Sequence, residues 1–349
     1  MDAAELPVVS LASAPDDTVL ADRLTEILHR IGFMIVVDHG VSADLIERVF
    51  ASMEAFFALP DERKRSIDKL DSPWFRGWEA IGSEYTNNRR DEREQIDFWT
   101  EWPSRARDVE PHYLRLLGPN QWPPADIHPG LEELMREWYA EMGALADRLL
   151  RLIATGLDLA PDHFDQVLGP EPMSLTKLIH YPPTPPGSAG VNAHHDAGFL
   201  TVLAPGSTPG LEIEFPGRGW VSVPSVDGGL VINLGENLQA MTGNYLVATP
   251  HRVITSEERI SAGYFHGSSL DVSLAPLDLD PRFVAAVDAS EHHRSAGFMA
   301  RKEETEQGTG DMASERPAAT YGEQLWNYFG RSYPANMARH HSDLAPLEG

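Results

Sequence analysis

The chain has 349 residues, of which 42% are hydrophobic and 23% are charged, as in an ordinary folded globular protein. With 28 Lys and Arg against 53 Asp and Glu, the formal net charge is −25, which would repel a nucleic acid or an anionic membrane. The absence of cysteine excludes disulfides, zinc–thiolate sites, iron–sulfur clusters and a cysteine nucleophile, so any bound metal needs His and carboxylate ligands.

The N-terminal region predicts a helix, a strand and a second helix, with no targeting segment before them. The first residues, MDAAE, lack the apolar stretch of a secretory signal, and no apolar run is long enough to span a bilayer, so we expect a cytoplasmic protein. Apolar residues recur at helical spacing over 20–28, and the apolar run 33–37 suits a buried strand. Ser42 is a candidate N-cap for a helix that reaches Phe57.

The next part of the chain is predicted to be irregular up to about residue 125 and helical after residue 130. Region 60–125 interleaves aromatic and charged residues, which favours loops that pack over a core or line a ligand cleft. Residues 130–157 carry apolar side chains at helical spacing and predict the longest helix.

From about residue 172 the pattern changes to short β-rich runs separated by Gly and Pro. These runs cover 174–181, 199–203, 211–215, 220–223, 230–234, 251–255 and 260–265. Strands at this density predict an antiparallel sandwich or barrel. After residue 280 the chain becomes polar, and the loop-like segment 301–317 is a candidate cover for an active site. Residues 321–329 predict a further short helix.

The strongest chemical signal is the sequence Asn-Ala-His-His-Asp at 192–196. His194 and Asp196 are two residues apart, so an extended strand would place both side chains on one face. His251, on another predicted strand, supplies a second imidazole. Two imidazoles and one carboxylate form a facial triad, which suits non-haem Fe(II) because it leaves positions open for a co-substrate and O2.

An arginine is predicted to be buried eight residues after His251. Arg259 would point into the barrel, where a guanidinium needs an anionic partner, and the carboxylate of a small acid is the natural candidate. Ser261, on the same strand face, would add a hydrogen bond to that carboxylate.

Each of these residues also has a less specific interpretation. An isolated His-x-Asp triplet or a lone histidine is more often a surface or core residue, but the ordered set with Arg-x-Ser favours a metal site. His195 faces away from His194 and Asp196, and is predicted to be structural or to contact a ligand residue from outside the metal position. The pairs predicted to be solvated are His292-His293 and His340-His341.

This combination of motifs, with Tyr-Pro-Pro at 181–183, resembles the Fe(II)/2-oxoglutarate-dependent dioxygenases of the isopenicillin N synthase-like family. The resemblance covers nearly the whole chain, and the other segments that carry it are 33–40, 56–60, 118–123 and 233–253. Segments 77–78, 82–84 and 321–323 are most similar to the branch with ethylene-forming enzymes and homoarginine hydroxylase-like proteins. One departure is the interval from His251 to Arg259, which is a residue or two shorter than usual; Arg252 is the nearby rival.

The resemblance implies one integrated catalytic unit, mainly β with flanking helices, built on a double-stranded β-helix, or jelly roll. Its expected parts are an N-terminal helix and strand region covering the core (1–125), supporting helices (126–170), the dioxygenase jelly roll (171–275) and a C-terminal loop and helix (276–349).

The resemblance also implies roles for individual residues. The residues expected to bind Fe(II) and to be catalytic are His194, Asp196 and His251. Those expected to hold the co-substrate 2-oxoglutarate are Arg259, Ser261 and Tyr181. The candidate substrate contacts are Glu84, Phe199, Phe265 and Trp78. O2 would be the remaining reactant.

The implied function is an oxidoreductase that couples oxidative decarboxylation of 2-oxoglutarate, to succinate and CO2, with O2-dependent oxidation of an unactivated C–H bond. Hydroxylation of an amino acid or a natural-product intermediate is expected, and desaturation, cyclisation or epoxidation in secondary metabolism would use the same cofactors. Two alternatives of another class stay open: a non-oxidative metal enzyme on a barrel, and a non-catalytic barrel that binds a ligand.

Region 74–93 leaves the character of the substrate open. Glu84 would suit a cationic group. The residues that would instead suit an acidic group are Arg76, Arg89, Arg90 and Arg93. The cluster that would suit a hydrophobic molecule is Trp74, Phe75, Trp78 and Tyr85. We expect a small-molecule partner and neither nucleic acid nor membrane, with monomer and dimer both possible.

Overall fold

Two β-sheets and a surrounding set of helices make up the fold. The computed structural model describes residues 6–12, 16–86, 89–183, 188–296 and 320–344. The strands are β1 (Val8–Ser10), β2 (Phe33–Val37), β3 (Gly77–Glu79), β4 (Tyr85–Thr86), β5 (Arg89–Arg90), β6 (Glu94–Trp99), β7 (Leu175–Tyr181), β8 (Val191–His194), β9 (Leu200–Ala204), β10 (Leu211–Phe215), β11 (Gly219–Ser222), β12 (Leu230–Leu234), β13 (His251–Val253) and β14 (Arg259–His266).

Most of the helices precede β7 or follow β14 in the chain. They are α1 (Asp17–Arg30), α2 (Ala43–Phe57), α3 (Asp61–Lys64), α4 (Leu131–Gly156), α5 (His163–Leu168), α6 (Glu236–Met241), α7 (Pro281–Ala289), α8 (Glu291–Ala296), α9 (Tyr321–Ser332) and α10 (Pro334–His340). In the described part of the chain, none of them is both long and apolar enough to cross a bilayer. The predicted loop 301–317 lies outside the described residues, so its role as a cover stays a prediction.

The sheets have the topology of a jelly roll. The larger has eight strands in the order β1-β2-β12-β9-β14-β7-β6-β3, and the smaller has four in the order β11-β10-β13-β8. Strand pairs within both sheets are antiparallel except β1 with β2. Apolar residues of both sheets meet in one buried cluster between them, including Phe33 from β2, Ile179 from β7 and Ile213 from β10. The expected fold class, mainly β with flanking helices, is therefore confirmed.

Helices cover the outer face of the large sheet. Helix α4 buries Trp138, Met142, Leu145 and Leu149, which recur every three or four residues and therefore share one helix face. The outward residues of β12, such as Ile232, belong to the same core cluster as this helix, while its inward residues face the small sheet. A strand covered on both sides is apolar almost throughout, which explains the run Leu-Val-Ile-Asn-Leu.

Region 60–125 is not irregular throughout, contrary to the prediction from its composition. Strands β3 and β6 extend the large sheet beyond β7. Strand β6 was hard to recognise because its inward positions are polar: Gln95 pairs with Ile179 and Asp97 pairs with Lys177 across the sheet. Asp97 is buried beside Lys69 and Lys177, so β6 lacks the alternation of apolar and polar residues that usually marks a half-buried strand. The division of the chain at residues 125, 170 and 275 stays a proposal.

One histidine of each C-terminal pair is buried, which corrects the prediction that both pairs are solvated. His293 and His341 are each 5% exposed. His293 Nε2 lies 2.8 Å from the carbonyl oxygen of His29, and His341 Nε2 lies 2.9 Å from that of Pro73. A histidine ring N–H can donate a hydrogen bond to a backbone carbonyl. Burial of these two side chains therefore does not leave that ring nitrogen without a hydrogen-bond partner.

Candidate active site

The predicted metal ligands meet at the open end of the small sheet. His194 is the last residue of β8, His251 is the first residue of β13, and the two are paired across these strands. Asp196 lies two residues beyond the end of β8, so it is placed by the following turn and not by the strand itself. The sequence argument from strand alternation therefore gave the right neighbours although only His194 is in the strand.

The side chains of the three residues converge on one point. Their ligand atoms all lie within 4.8 Å of one another, and they are the one such group of His, Asp or Glu found in the described residues. Asp196 Oδ1 is 3.8 Å from His194 Nε2 and 3.6 Å from His251 Nε2. Two imidazoles and a carboxylate are the donor set of a facial triad, so these residues fit a divalent iron.

Backbone carbonyls orient both imidazoles. His194 Nδ1 is 2.9 Å from the carbonyl oxygen of Asn192, and His251 Nδ1 is 3.2 Å from that of Thr249. A carbonyl only accepts, so each Nδ1 carries the proton and donates it. The lone pair is then on Nε2, the nitrogen that points toward Asp196, as a metal ligand requires.

Two neutral side chains hold the Asp196 carboxylate. Thr201 Oγ1 and Asn233 Nδ2 each donate a hydrogen bond of 2.6 Å to its Oδ2, which leaves Oδ1 facing the histidines. Thr201 on β9 and Asn233 on β12 are directly opposite each other in the large sheet. Sequence reasoning missed both residues: Asn233 is 37 residues from Asp196, and Thr201, only five residues away, reaches the carboxylate only because the turn between β8 and β9 folds back on β9.

The turn that carries Asp196 is packed tightly against the start of α6. The backbone N–H of Glu236 donates to the carbonyl oxygen of Asp196 at 2.8 Å. A Cβ placed on Gly235 would lie 2.0 Å from the carbonyl oxygen of Gly198, so no side chain fits there. Gly235 is therefore needed for this close backbone approach.

Removing either neutral support of Asp196 is expected to weaken metal binding. The variants Thr201→Val and Asn233→Leu each delete one 2.6 Å hydrogen bond while approximately preserving side-chain volume. Outer-shell partners of this kind change metal affinity by about 10- to 100-fold. Anaerobic Fe(II) titration of each variant would measure the change.

Thr25→Val provides the control for the loss of a buried hydroxyl. Thr25 lies on α1, is 3% exposed, and its hydroxyl has no hydrogen-bond partner among the described residues. Its variant should bind Fe(II) as the unmodified protein does. Unchanged affinity in both Asp196-support variants would show that Asp196 needs neither donor.

The electrostatics of the three residues favour a neutral His194 beside an ionised Asp196 carboxylate. Burial, reinforced by His251, lowers the pKa of His194 to about 3. Burial would raise the pKa of Asp196, but the nearby His251 lowers it below its usual range. For His251, burial opposes the charged form while Asp196 favours it, and the resulting pKa is raised. A neutral His194 and a carboxylate Asp196 are both in the form that binds a metal.

A small cavity of about 60 Å³ runs from the three candidate ligands into the space between the sheets. Arg259, Ser261 and Tyr181 all line it. Arg259 opens β14, directly opposite Tyr181 at the end of β7, and its guanidinium carbon is 5.1 Å from the Tyr181 ring centre. The interval from His251 to Arg259, which is shorter than usual in the family, includes the connection 254–258 between β13 and β14.

Arg259 is a buried cation without an acidic partner. It is 2% exposed, and no carboxylate of the described residues forms an ion pair with it. Nη1 donates to Ser261 Oγ at 3.0 Å and Nη2 donates to the carbonyl oxygen of Pro205 at 3.1 Å. Burial lowers its pKa, and Tyr181 partly offsets that effect. A buried guanidinium with only neutral partners fits the carboxylate of a bound acid.

A second cavity, of about 1000 Å³, opens on the other side of the candidate ligands. The residues that line both cavities are Arg93, His194, Asp196 and Phe265. Trp78 and Glu84 also line the large cavity, as expected of substrate contacts. Phe199 lines neither cavity; it is fully buried and its ring centre is 6.3 Å from that of Tyr321, which corrects its predicted place.

A chain of alternating charges forms one wall of the large cavity. Lys69 Nζ contacts Glu79 at 2.7 Å and Asp97 at 2.6 Å. Lys177 Nζ lies 3.2 Å from Asp97 and 3.5 Å from Glu84. These side chains are buried or nearly so, and Arg93, which pairs with Glu84, brings the cations to three against three carboxylates, so the wall is polar but internally neutralised.

Glu84 is held by three donors at the end of this chain of charges. Arg93 Nη2 donates at 2.6 Å, and Tyr328 on α9 donates its hydroxyl at 3.2 Å, with Lys177 as the third partner. Burial opposes ionisation of Glu84, but Arg93 and Lys177 hold its pKa below the usual range. Among the four arginines considered for an acidic substrate, Arg93 alone lines a described cavity.

Arg76 has a structural role. Its guanidinium donates to the carbonyl oxygens of Trp74, Leu116 and Gly118, and burial lowers its pKa to about 9. It therefore fixes the loop that follows β6 against the segment before β3.

Two family models match the chain. The model described as the non-haem dioxygenase in morphine synthesis N-terminal region matches residues 6–125, and that of the 2OG-Fe(II) oxygenase superfamily matches residues 172–268. The second match contains all three candidate metal ligands and Arg259.

Curated relatives match over most of their length. A 2-oxoglutarate-dependent dioxygenase, frbJ, of Dothideomycetidae sp. is 29% identical and covers 97% of this chain and 90% of its own. A 2-oxoglutarate-dependent dioxygenase of Didymella fabae is 31% identical over 78% of this chain and 86% of its own. A homoarginine-6-hydroxylase of Arabidopsis thaliana is 30% identical over 71% and 76%.

Solved structures share the fold. A full-length protein of Neurospora crassa, crystallised with 2-oxoglutarate and 5-formyluracil, has a TM-score of 0.71 at 20% identity, over 93% of this chain and 95% of its own. A dioxygenase for auxin oxidation from Arabidopsis thaliana, crystallised with 2-oxoglutarate, has a TM-score of 0.61 at 24% identity, over 82% and 99%.

Proposed function

Since the chain belongs to the 2OG-Fe(II) oxygenase superfamily, we propose that it hydroxylates an unactivated C–H bond of a small molecule. The chain is a 2-oxoglutarate-dependent dioxygenase that uses Fe(II), 2-oxoglutarate and O2. The two alternatives of another class, a non-oxidative metal enzyme and a binding protein without catalysis, are therefore set aside. The observation that carries the proposal is the convergence of His194, Asp196 and His251 at the junction of two cavities.

In this proposal the three converging residues hold the iron and the small cavity holds the co-substrate. A bound iron would supply O2 activation, coupling the decarboxylation of 2-oxoglutarate to succinate and CO2 with oxidation of the substrate. Arg259 and Ser261 bind the carboxylate of 2-oxoglutarate that is remote from the iron, with Tyr181 beside it. Thr201 and Asn233 keep the Asp196 carboxylate aimed at the metal position.

The proposed substrate enters the large cavity and lies against His194 and Asp196. The apolar part of the wall comes from Phe265 and from α9, where Leu325 and Phe329 face the cavity. Another part of the wall is the neutralised chain of charges, which Tyr328 of α9 contacts through Glu84. A molecule with an apolar body and a few hydrogen-bonding groups is complementary to such a surface, and its position relative to the iron decides which C–H bond reacts.

Hydroxylation is favoured over the other outcomes by the names of the relatives. The Arabidopsis relative is called a homoarginine-6-hydroxylase, which supports hydroxylation and an amino-acid substrate. Other relatives are called clavatol oxidase and kihadalactone A synthase, which supports a natural-product intermediate as the substrate. Because Glu84 is already paired with Arg93 and Lys177, a cationic amino acid would have to compete with these partners.

The experiment that tests the function is a two-step titration. Anaerobic addition of Fe(II) and then 2-oxoglutarate to the apo-protein should produce a weak visible charge-transfer band. On admission of O2, candidate amino acids and natural-product intermediates are screened for stimulated succinate formation, and the product of any hit is identified by its mass. A gain of one oxygen atom at a saturated carbon supports hydroxylation, since epoxidation adds the same mass at a double bond, whereas a loss of two hydrogens indicates desaturation or ring closure.

Two results would contradict the proposal. The first is metal binding without the band, which would mean that 2-oxoglutarate does not chelate the iron. The second is succinate formation that no small molecule stimulates.

A further inference from the structure

Arg93 lies at the junction of the two cavities, beside the candidate metal ligands. It immediately precedes β6, whose register with β7 places it next to Tyr181, on the side opposite Arg259. Arg93 lines both cavities together with His194 and Asp196, whereas Arg259 and Ser261 line the small cavity alone. The small cavity therefore has a guanidinium at each end: Arg259 at the remote end and Arg93 at the end near the metal ligands.

The bonding of Arg93 leaves part of its guanidinium without a partner. Its closest contacts to Glu84 (2.6 Å) and Asp91 (3.4 Å) are both made by Nη2. Nε is buried and has no hydrogen-bond partner among the described residues. Arg93 is itself 8% exposed, and its charge is close enough to His194 to contribute to the lowered pKa of that residue. A desolvated guanidinium with unused donors beside a metal site suits a carboxylate.

We propose that Arg93 binds the carboxylate of 2-oxoglutarate that lies at the metal end, and that Glu84 positions Arg93 for this contact. This inference rests on the proposed function. 2-Oxoglutarate is a dianion with one carboxylate at each end, and a cavity lined by two guanidiniums, one of them beside the candidate metal ligands, matches the charge of that molecule. Glu84 then acts as an internal anchor for Arg93 and not as a partner for a cationic substrate.

Lys177 provides the matched comparison. It is also buried, also carries one positive charge and also contacts Glu84, but it lines the large cavity alone. The double variants Arg93→Gln/Glu84→Gln and Lys177→Gln/Glu84→Gln remove the same carboxylate and one cation each. They therefore have the same net charge and differ in whether the lost cation faces the small cavity.

The test measures binding of 2-oxo acids to each anaerobic Fe(II) protein through the charge-transfer band. Two ligands are compared: 2-oxoglutarate, and 2-oxobutanoate, which keeps the 2-oxo acid group but lacks the second carboxylate. The Arg93 double variant should bind both ligands about 10- to 100-fold more weakly, as expected for the loss of a hydrogen-bonded charged contact. The Lys177 double variant keeps Arg93 but loses its anchor Glu84, so it should bind both ligands more weakly than the unmodified protein and more tightly than the Arg93 double variant.

Several outcomes would overturn the inference. One is equal binding of 2-oxoglutarate by all three proteins, and another is equal weakening in both double variants. A loss confined to 2-oxoglutarate would place Arg93 at the remote carboxylate instead. If the Arg93 double variant does not fold, Arg93→Lys, which keeps the charge but not the forked donors, should still weaken both ligands, and unchanged binding would reject the role. Failure of the unmodified protein to give a band would instead reject the proposed function.

Discussion

Asp196→Ala is expected to reduce 2-oxoglutarate-dependent succinate formation by roughly a thousandfold or more, because metal-ion catalysis contributes several kcal/mol and ~1.4 kcal/mol is a factor of ten. Asp196 supplies the one carboxylate of the converging group. Its loss also leaves the donors of Thr201 and Asn233, each 2.6 Å from Oδ2, without their acceptor. The anaerobic charge-transfer band should be lost together with turnover.

His195→Ala is the matched control for Asp196→Ala. His195 is the immediate neighbour of two candidate ligands, but its Nδ1 lies 3.7 Å from Glu236 and not against the other ligand atoms. Its variant should therefore retain the band with Fe(II) and 2-oxoglutarate. If Asp196→Ala kept both the band and turnover while His195→Ala lost them, the assignment of the carboxylate ligand would be wrong.

The metal site could be predicted from sequence because its ligands follow from local spacing and a short list of suitable side chains. His194 and Asp196 are neighbours in the chain, and His251 is placed opposite them by one strand pair. The supporting residues could not be predicted in this way. Thr201 and Asn233 are ordinary strand residues whose function appears only when β9 and β12 are aligned beside the Asp196 turn.

The role of region 60–125 was hidden by its charges. Strand β6 presents Gln95 and Asp97 to the interior, where Asp97 is neutralised by Lys69 and Lys177. Lys69 is distant in sequence from both β6 and β7, so the compensation that permits a charged interior strand is a tertiary property. The environment of Glu84 could not be predicted from sequence for the same reason. The sequence suggested a carboxylate free to bind a cation, whereas Arg93, Lys177 and Tyr328 contact it in the folded chain.

Arg259→Met is expected to weaken 2-oxoglutarate binding by about 100-fold, since it removes charge-assisted hydrogen bonds to a buried carboxylate. The stability of the ligand-free protein should not fall, because an uncompensated guanidinium at 2% exposure carries a desolvation cost that methionine does not. Titration with 2-oxoglutarate in the presence of Fe(II), without O2, measures the affinity, and urea denaturation measures the free energy of unfolding. Weak affinity with unchanged or raised stability is a combination that a merely structural arginine would not produce.

The variant Arg252→Met tests whether Arg252 or Arg259 binds the carboxylate of 2-oxoglutarate. Arg252 follows His251 on β13, so strand alternation turns it to the opposite face, where it contacts Glu212 at 2.8 Å and lies 4.1 Å from the ring centre of Trp220. It already has an anionic partner and an aromatic contact, and therefore has no need of a ligand carboxylate. Its variant should bind 2-oxoglutarate normally; a 100-fold loss there, with normal binding in Arg259→Met, would transfer the role to Arg252.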